Sequence, residues 1–185
     1  MDPRTQLRRS DRAADETWIR SFLHESAVGV LATVDGGQPF VNSNIFVYDE
    51  ERHAIYLHTA RTGRTRDTVE ASPRAAFTVY ETGRLLPAEE ALEFSIEYGG
   101  VVVFGNAFVV DDPKEAEGGL QLLLDKYAPH LKPGRDYRPI TAGELKRTSV
   151  FRLDIESWSG KRKYVEPDFP GAYPYEDRRR LEAAE

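Results

Sequence analysis

The sequence predicts a mainly β fold, a six-stranded antiparallel β-barrel with flanking helices. Short apolar or alternating runs recur along the chain between polar turns such as Asp35-Gly36-Gly37 and Asp49–Arg52. Gly99, Gly100 and Gly105 interrupt the longest β run, where a barrel corner needs a bulge, a bend or a close backbone approach. One stretch, after Asp112-Pro113, carries a well-formed helical stripe, so the helices flank the fold rather than build it.

Taken in order, residues 1–14 read as a polar arm. Asp15 caps a helix over Glu16–His24, with Trp18, Ile19, Phe22 and Leu23 on one face. Ala27–Val34 is a buried strand, Gln38–Tyr48 its hairpin partner and His53–His58 a third strand, which together read as an antiparallel meander. Arg64–Ala71 has one apolar anchor, Val69, and forms a helical turn or two before Pro73. Ala75–Tyr80 is the fourth strand, and Glu81–Glu93, with Gly83 and Pro87, is a loop. Phe94–Val110 is the long β region. Asp112 then caps a helix with Pro113 at its first position and Ala116, Leu120, Leu123, Leu124 and Tyr127 along one side. After a Pro- and Gly-rich loop, Thr141–Glu144 fits a capping box, and Ser149–Trp158 alternates as the last strand. This gives a domain over residues 15–163 and a tail over 164–185 that is either unstructured or packed on another surface.

The 185 residues carry a formal charge of −6, which argues against a general nucleic-acid binder. There is no cysteine, so disulfides, thiolate metal sites and a Cys nucleophile are excluded. No pair among His24, His53 and His130 has metal-ligand spacing. No apolar run approaches the roughly 20 residues of a membrane helix, and residues 1–16 lack the apolar stretch of a secretory signal. A cytoplasmic protein with no membrane partner is the expectation.

The chemistry concentrates in His58-Thr59-Ala60-Arg61-Thr62-Gly63-Arg64-Thr65-Arg66, where a strand gives way to a helix. Free N–H groups at a helix start favour an anion. Arginine adds a fork matched to phosphate oxygens, and threonine hydroxyls add donors. A phosphomonoester suits this set; a solvated basic loop is the alternative.

The run Ala54–Phe77 resembles the flavin-nucleotide pattern of the pyridoxamine 5′-phosphate oxidase-like superfamily, nearest its nitroimidazole-resistance (Nim-type) branch. Tyr56-Leu57-His58, Thr59-Ala60, Gly63-Arg64-Thr65 and Ser72-Pro73-Arg74 carry the likeness. Gly29–Thr33, Val102–Gly105 and Trp158-Ser159-Gly160-Lys161 extend it over roughly residues 16–163. The resemblance implies a split barrel that forms a homodimer and holds flavin mononucleotide (FMN) in a groove between subunits. It places Arg64 and Thr65 at the phosphate, with Arg61 or Arg66 supplying the charge that a lysine gives in relatives at position 65. It places Asn42, Ser43 and Asn44 beside the flavin ring. It sets His58 at the mouth of the site, as a candidate for binding, proton donation or a structural bond. Trp158 is then either a cover for one flavin edge or a core residue of the closing strand, and Lys161 either a ligand contact or part of a solvated basic patch.

The implied function is flavin-dependent oxidation or reduction of a small molecule, a nitro compound among the options. The pyridoxamine phosphate oxidase reaction itself is disfavoured, because the arginine-rich substrate-phosphate signature is missing near the C-terminus, although Arg178-Arg179-Arg180 is basic. Two alternatives stay open: a non-catalytic module that binds FMN, or haem through His58 or His130, and a deazaflavin-dependent reductase.

Overall fold

A computed structural model describes residues 2–175. Its strands are β1 (Ala13–Ala14), β2 (Val28–Asp35), β3 (Gln38–Ile45), β4 (Val47–Asp49), β5 (Ala54–Ala60), β6 (Arg74–Leu86), β7 (Ser95–Val109), β8 (Thr148–Lys163) and β9 (Tyr173–Pro174). Its α-helices are α1 (Glu16–Glu25), α2 (Arg64–Ala71), α3 (Pro113–Tyr127) and α4 (Ala142–Leu145). Six strands have seven or more residues; β1, β4 and β9 are short. This is the six-stranded antiparallel architecture expected, with Asp15, Asp112 and the Thr141/Glu144 box capping their helices.

The strands run β3-β2-β6-β7-β8-β5-β4, and every pairing is antiparallel. The meander expected over the first half does not form. β3 pairs with β2, whereas β5 lies at the other end of the sheet between β8 and β4. Phe46 is where the chain leaves one end for the other. Its side chain is fully buried, and its N–H donates to the Tyr127 hydroxyl 3.0 Å away on α3 instead of to a neighbouring strand. The sheet therefore curls until β3 approaches β5 without a ladder between them, which leaves the barrel split at that seam.

Alternate residues face inward. Leu31, Phe77 and Val103 stand in register across β2, β6 and β7 and are all buried. Each such side chain contributes about 1.5–3 kcal/mol through burial. Gly105 supplies the anticipated device: the β7–β8 register shifts between Phe104 and Gly105, and a Cβ on Gly105 would sit 1.9 Å from the Asp154 carbonyl oxygen. A second core lies outside the barrel wall, where Tyr56 and Val150 meet Ala116 and Leu123 of α3.

Both flanking segments are anchored. In the arm, β1 pairs with β8, and Arg4 bonds Glu156 at 3.2 Å. The described part of the tail packs on its own β6–β7 hairpin, with β9 paired to Arg84 and Leu85. Strand β6 also runs on to Leu86, through residues expected to be loop. Arg178-Arg179-Arg180 lies outside the described residues.

Candidate functional site

The corner between β5 and α2 forms as the sequence predicts. Gly63 caps α2 at φ 140°, a conformation that suits glycine, and no side chain caps the helix there. The first N–H groups of α2 are thus open to an anion. Arg61 and Arg64 are exposed beside them. Arg64 lies 3.7 Å from Asp35 and 5.2 Å from the centre of the Phe40 ring. Both members of that ion pair are more than half exposed, so the pair is weak and leaves the guanidinium able to take another anion.

Thr65 and Arg66 are placed differently. Thr65 is buried, and its hydroxyl accepts from the Asn42 amide at 2.9 Å, which ties β3 to the start of α2. Arg66 turns inward: it donates to the Ser149 hydroxyl at 3.0 Å and pairs with Glu70 at 2.6 Å. Ser149 in turn donates to the Arg61 carbonyl at 3.2 Å, so Arg66 braces the loop that presents Arg61. Of the three arginines, Arg61 and Arg64 are the ones facing solvent.

On β3, Asn42 and Asn44 stand opposite Leu31 and Gly29 and share the inward face, while Ser43 stands opposite Val30 on the outer face and is exposed. The three residues therefore split between the two sides of the strand. Thr59 is half-buried, its hydroxyl donating to the Ala60 carbonyl at 2.9 Å, and Ala60 is exposed at the strand end.

His58 points outward from the barrel wall into a cavity of about 420 Å3 beneath α3. Its Nδ1 is buried and without a hydrogen-bond partner, and burial pushes its pKa down, so the imidazole is neutral near pH 7. His130 is exposed in the loop after α3.

Trp158 and Lys161 are not brought to this corner within one chain. Thr59 pairs with Ser149 near the start of β8, and Trp158 lies nine residues further on, about 30 Å at ordinary strand rise. Trp158 packs edge-on to His53 at 4.5 Å between ring centres and to Tyr48 at 5.9 Å, with the Arg20 guanidinium 5.1 Å from its ring centre. It sits partly buried against the barrel core. Lys161 stands on the outer face with its Nζ 5.4 Å from the Tyr98 ring centre.

Two contributors escape sequence reasoning. Ser149 needs the β5–β8 ladder, which joins residues about ninety apart and leaves no local signal. The wall formed by Leu120 and Leu124 reads as an ordinary helix stripe until the loop after α3 folds over it.

Comparison with solved structures bears on the fold. The flavocytochrome Anf3 from Azotobacter vinelandii is 24% identical, with a TM-score of 0.79 over 93% of this chain and 84% of that one. The FAD and haem binding protein from Mycobacterium smegmatis is 22% identical, with a TM-score of 0.76 over 88% and 83%. A 5-nitroimidazole antibiotic resistance protein from Bacteroides thetaiotaomicron is 16% identical, with a TM-score of 0.68 over 81% and 86%. No curated protein matches the sequence. The family model described as pyridoxamine 5′-phosphate oxidase matches residues 15–162, nearly the whole barrel, and the chain belongs to that family.

Proposed function

We propose that this protein binds FMN as a homodimer and uses it as an oxidoreductase on a small molecule, with nitro compounds among the substrates to assay. The observation that carries the reading is the corner at Gly63–Thr65. A side-chain-free helix start is flanked there by the exposed guanidinium groups of Arg61 and Arg64, a donor set suited to one terminal phosphate. Family membership and the flavin named for two of the structural neighbours support the same cofactor class. Arg61, Arg64 and the first N–H groups of α2 would hold the phosphate, and the outer face of β3 at Ser43 would run beside the ring. Bound there, the flavin would supply the electron chemistry and the chain would orient and tune it.

The test is spectroscopic. Protein as purified, or after soaking with FMN, is expected to show flavin absorbance, and Arg64→Ala to weaken FMN binding at least tenfold. Unchanged affinity in that variant would remove the phosphate assignment. Haem belongs to the same two names, the flavocytochrome and the FAD and haem binding protein; a Soret band in place of flavin bands would select haem instead.

A further inference from the structure

The cavity at His58 differs in character from the cationic corner. It lies between the ends of β3 and β5, the second half of α3 and the segment over residues 137–148. Ile45, Leu120, Leu123, Leu124, Tyr127 and Ile140 form apolar walls. Its polar groups are mostly committed to each other. Arg138 pairs with Glu144 at 2.9 Å, and the Tyr137 hydroxyl accepts from Gln121 at 2.9 Å. The exception is the His58 imidazole: its Nδ1 is buried without a partner among the described residues, so Nε2 is the ring nitrogen left to meet a ligand.

These features define a ligand. About 420 Å3 is near the low end of small-molecule sites, which span roughly 300–1,000 Å3. A charged ligand would lose hydration and find one cation, Arg138, whose fork is engaged at 2.9 and 3.3 Å by a Glu144 carboxylate that Thr141 also holds, in contrast to the single 3.7 Å contact of Arg64. The imidazole can meet a single polar group. The cavity also adjoins the corner along both strands: Ile45 follows Asn44, His58 precedes Thr59, and Thr148 pairs with Ala60.

We propose that this cavity binds an uncharged aromatic molecule of one or two rings bearing a carbonyl or nitro oxygen for His58, and that this is the substrate class of the flavin site. The second half rests on the flavin reading; the binding does not. Haem would also accept an imidazole, but it brings two carboxylates for which the lining offers one cation that is already paired.

The experiment measures equilibrium binding of menadione, 2-methylnaphthalene and 2-naphthoate to the full chain, with and without FMN. Two variants are used: Ile140→Trp, which fills the cavity from a loop, and His58→Phe, which keeps its apolar wall. Menadione is expected to bind wild type and to lose at least tenfold in both variants. The hydrocarbon should lose affinity in Ile140→Trp alone, naphthoate should bind more weakly than menadione, and FMN affinity in Ile140→Trp should stay within twofold. Equal menadione binding in Ile140→Trp, a preference for naphthoate, or a hemin Soret band lost in His58→Phe would overturn the proposal. Menadione binding without any FMN binding upholds the cavity assignment and overturns its role as substrate site. FMN binding without menadione binding overturns the proposal and leaves the flavin reading standing.

Discussion

Thr65 can be buried at the start of α2 because its hydroxyl has a partner. The Asn42 amide reaches it, while the neighbouring Thr33 and Thr68 hydroxyls bond each other at 3.0 Å. Removing the amide in Asn42→Ala should cost about 1 kcal/mol in denaturant unfolding. It should also weaken FMN binding, since the start of α2 loses its tie to β3. His58 makes a second residue-scale prediction. Its folded pKa lies below the ordinary histidine value of 6.5 because burial disfavours the charged ring. As pH falls below about 6.5 the unfolded chain takes up a proton that the folded chain resists, so stability falls toward acid. Unfolding measured from pH 7.5 to 5 should show this slope in wild type and a shallower one in His58→Phe. At this scale much was legible in the sequence. The cationic corner and the barrel-corner glycine could be read because each is a local pattern. That Arg66 braces a loop while Arg61 and Arg64 face solvent could not, because the choice is made by Ser149, which arrives from β8.

Among the elements, the tail is held by one buried charge. Glu97 is 6% exposed, and its carboxylate accepts from the Arg84 side chain, the Arg84 N–H and the Val165 N–H. Arg84 in turn donates to the carbonyls of Val165, Glu166 and Pro167, so a single side chain fixes the path of the tail beside β6. The Arg84 guanidinium holds the Glu97 pKa down at about 2. A depressed carboxylate stabilises the fold above its unfolded pKa, near 4.5, and that contribution fades as pH falls through about 2. The protection factor of the Val165 amide, its exchange rate corrected for the intrinsic pH dependence, should therefore be high at pH 6 and fall as pH drops from about 4.5 toward 2. Glu97→Gln, which removes the counter-charge of Arg84, should destabilise the fold and open the tail to chymotrypsin at Tyr164; an equally resistant tail would contradict the assignment. Strands and helices could be placed from periodicity and caps because both are short-range signals. The extension of β6 through Gly83 to Leu86 could not, because the Glu97 contacts and the β9 pairing that hold it come from elsewhere in the chain.

For the whole molecule, what stayed hidden was the order of strands. β5 is apolar on both faces, with Ile55 and Leu57 in the barrel core and Ala54 and Tyr56 in the core under α3, so its pattern does not tell that its partner is β8 rather than β3; the buried turn at Phe46, satisfied by Tyr127 eighty residues later, decides that. The same topology leaves one feature that a lone subunit does not explain. The outer faces of β3, β2, β6 and β7 carry Val41, Ile45, Val28, Val34, Tyr80 and Val102, each 37–62% exposed and on neighbouring strands. Scattered exposed apolar residues are ordinary, but a contiguous face of them marks an interaction surface. A stable interface needs about 800 Å2 from each partner, a patch this four-stranded face is well suited to supply. The outer side of β3 is also the side on which Ser43, Ile45 and the His58 cavity lie, so a second copy packed here would wall the proposed flavin groove. Sedimentation of the wild type at micromolar concentration should give a dimer. Val41→Glu combined with Tyr80→Glu should give a monomer with an unchanged far-UV spectrum, because both side chains already face water in a single subunit. If the flavin is shared between subunits, this monomer should bind FMN at least tenfold more weakly although every residue of the cationic corner is intact. A wild type that sediments as a monomer, or a monomeric variant with full FMN affinity, would show that one chain forms the site alone.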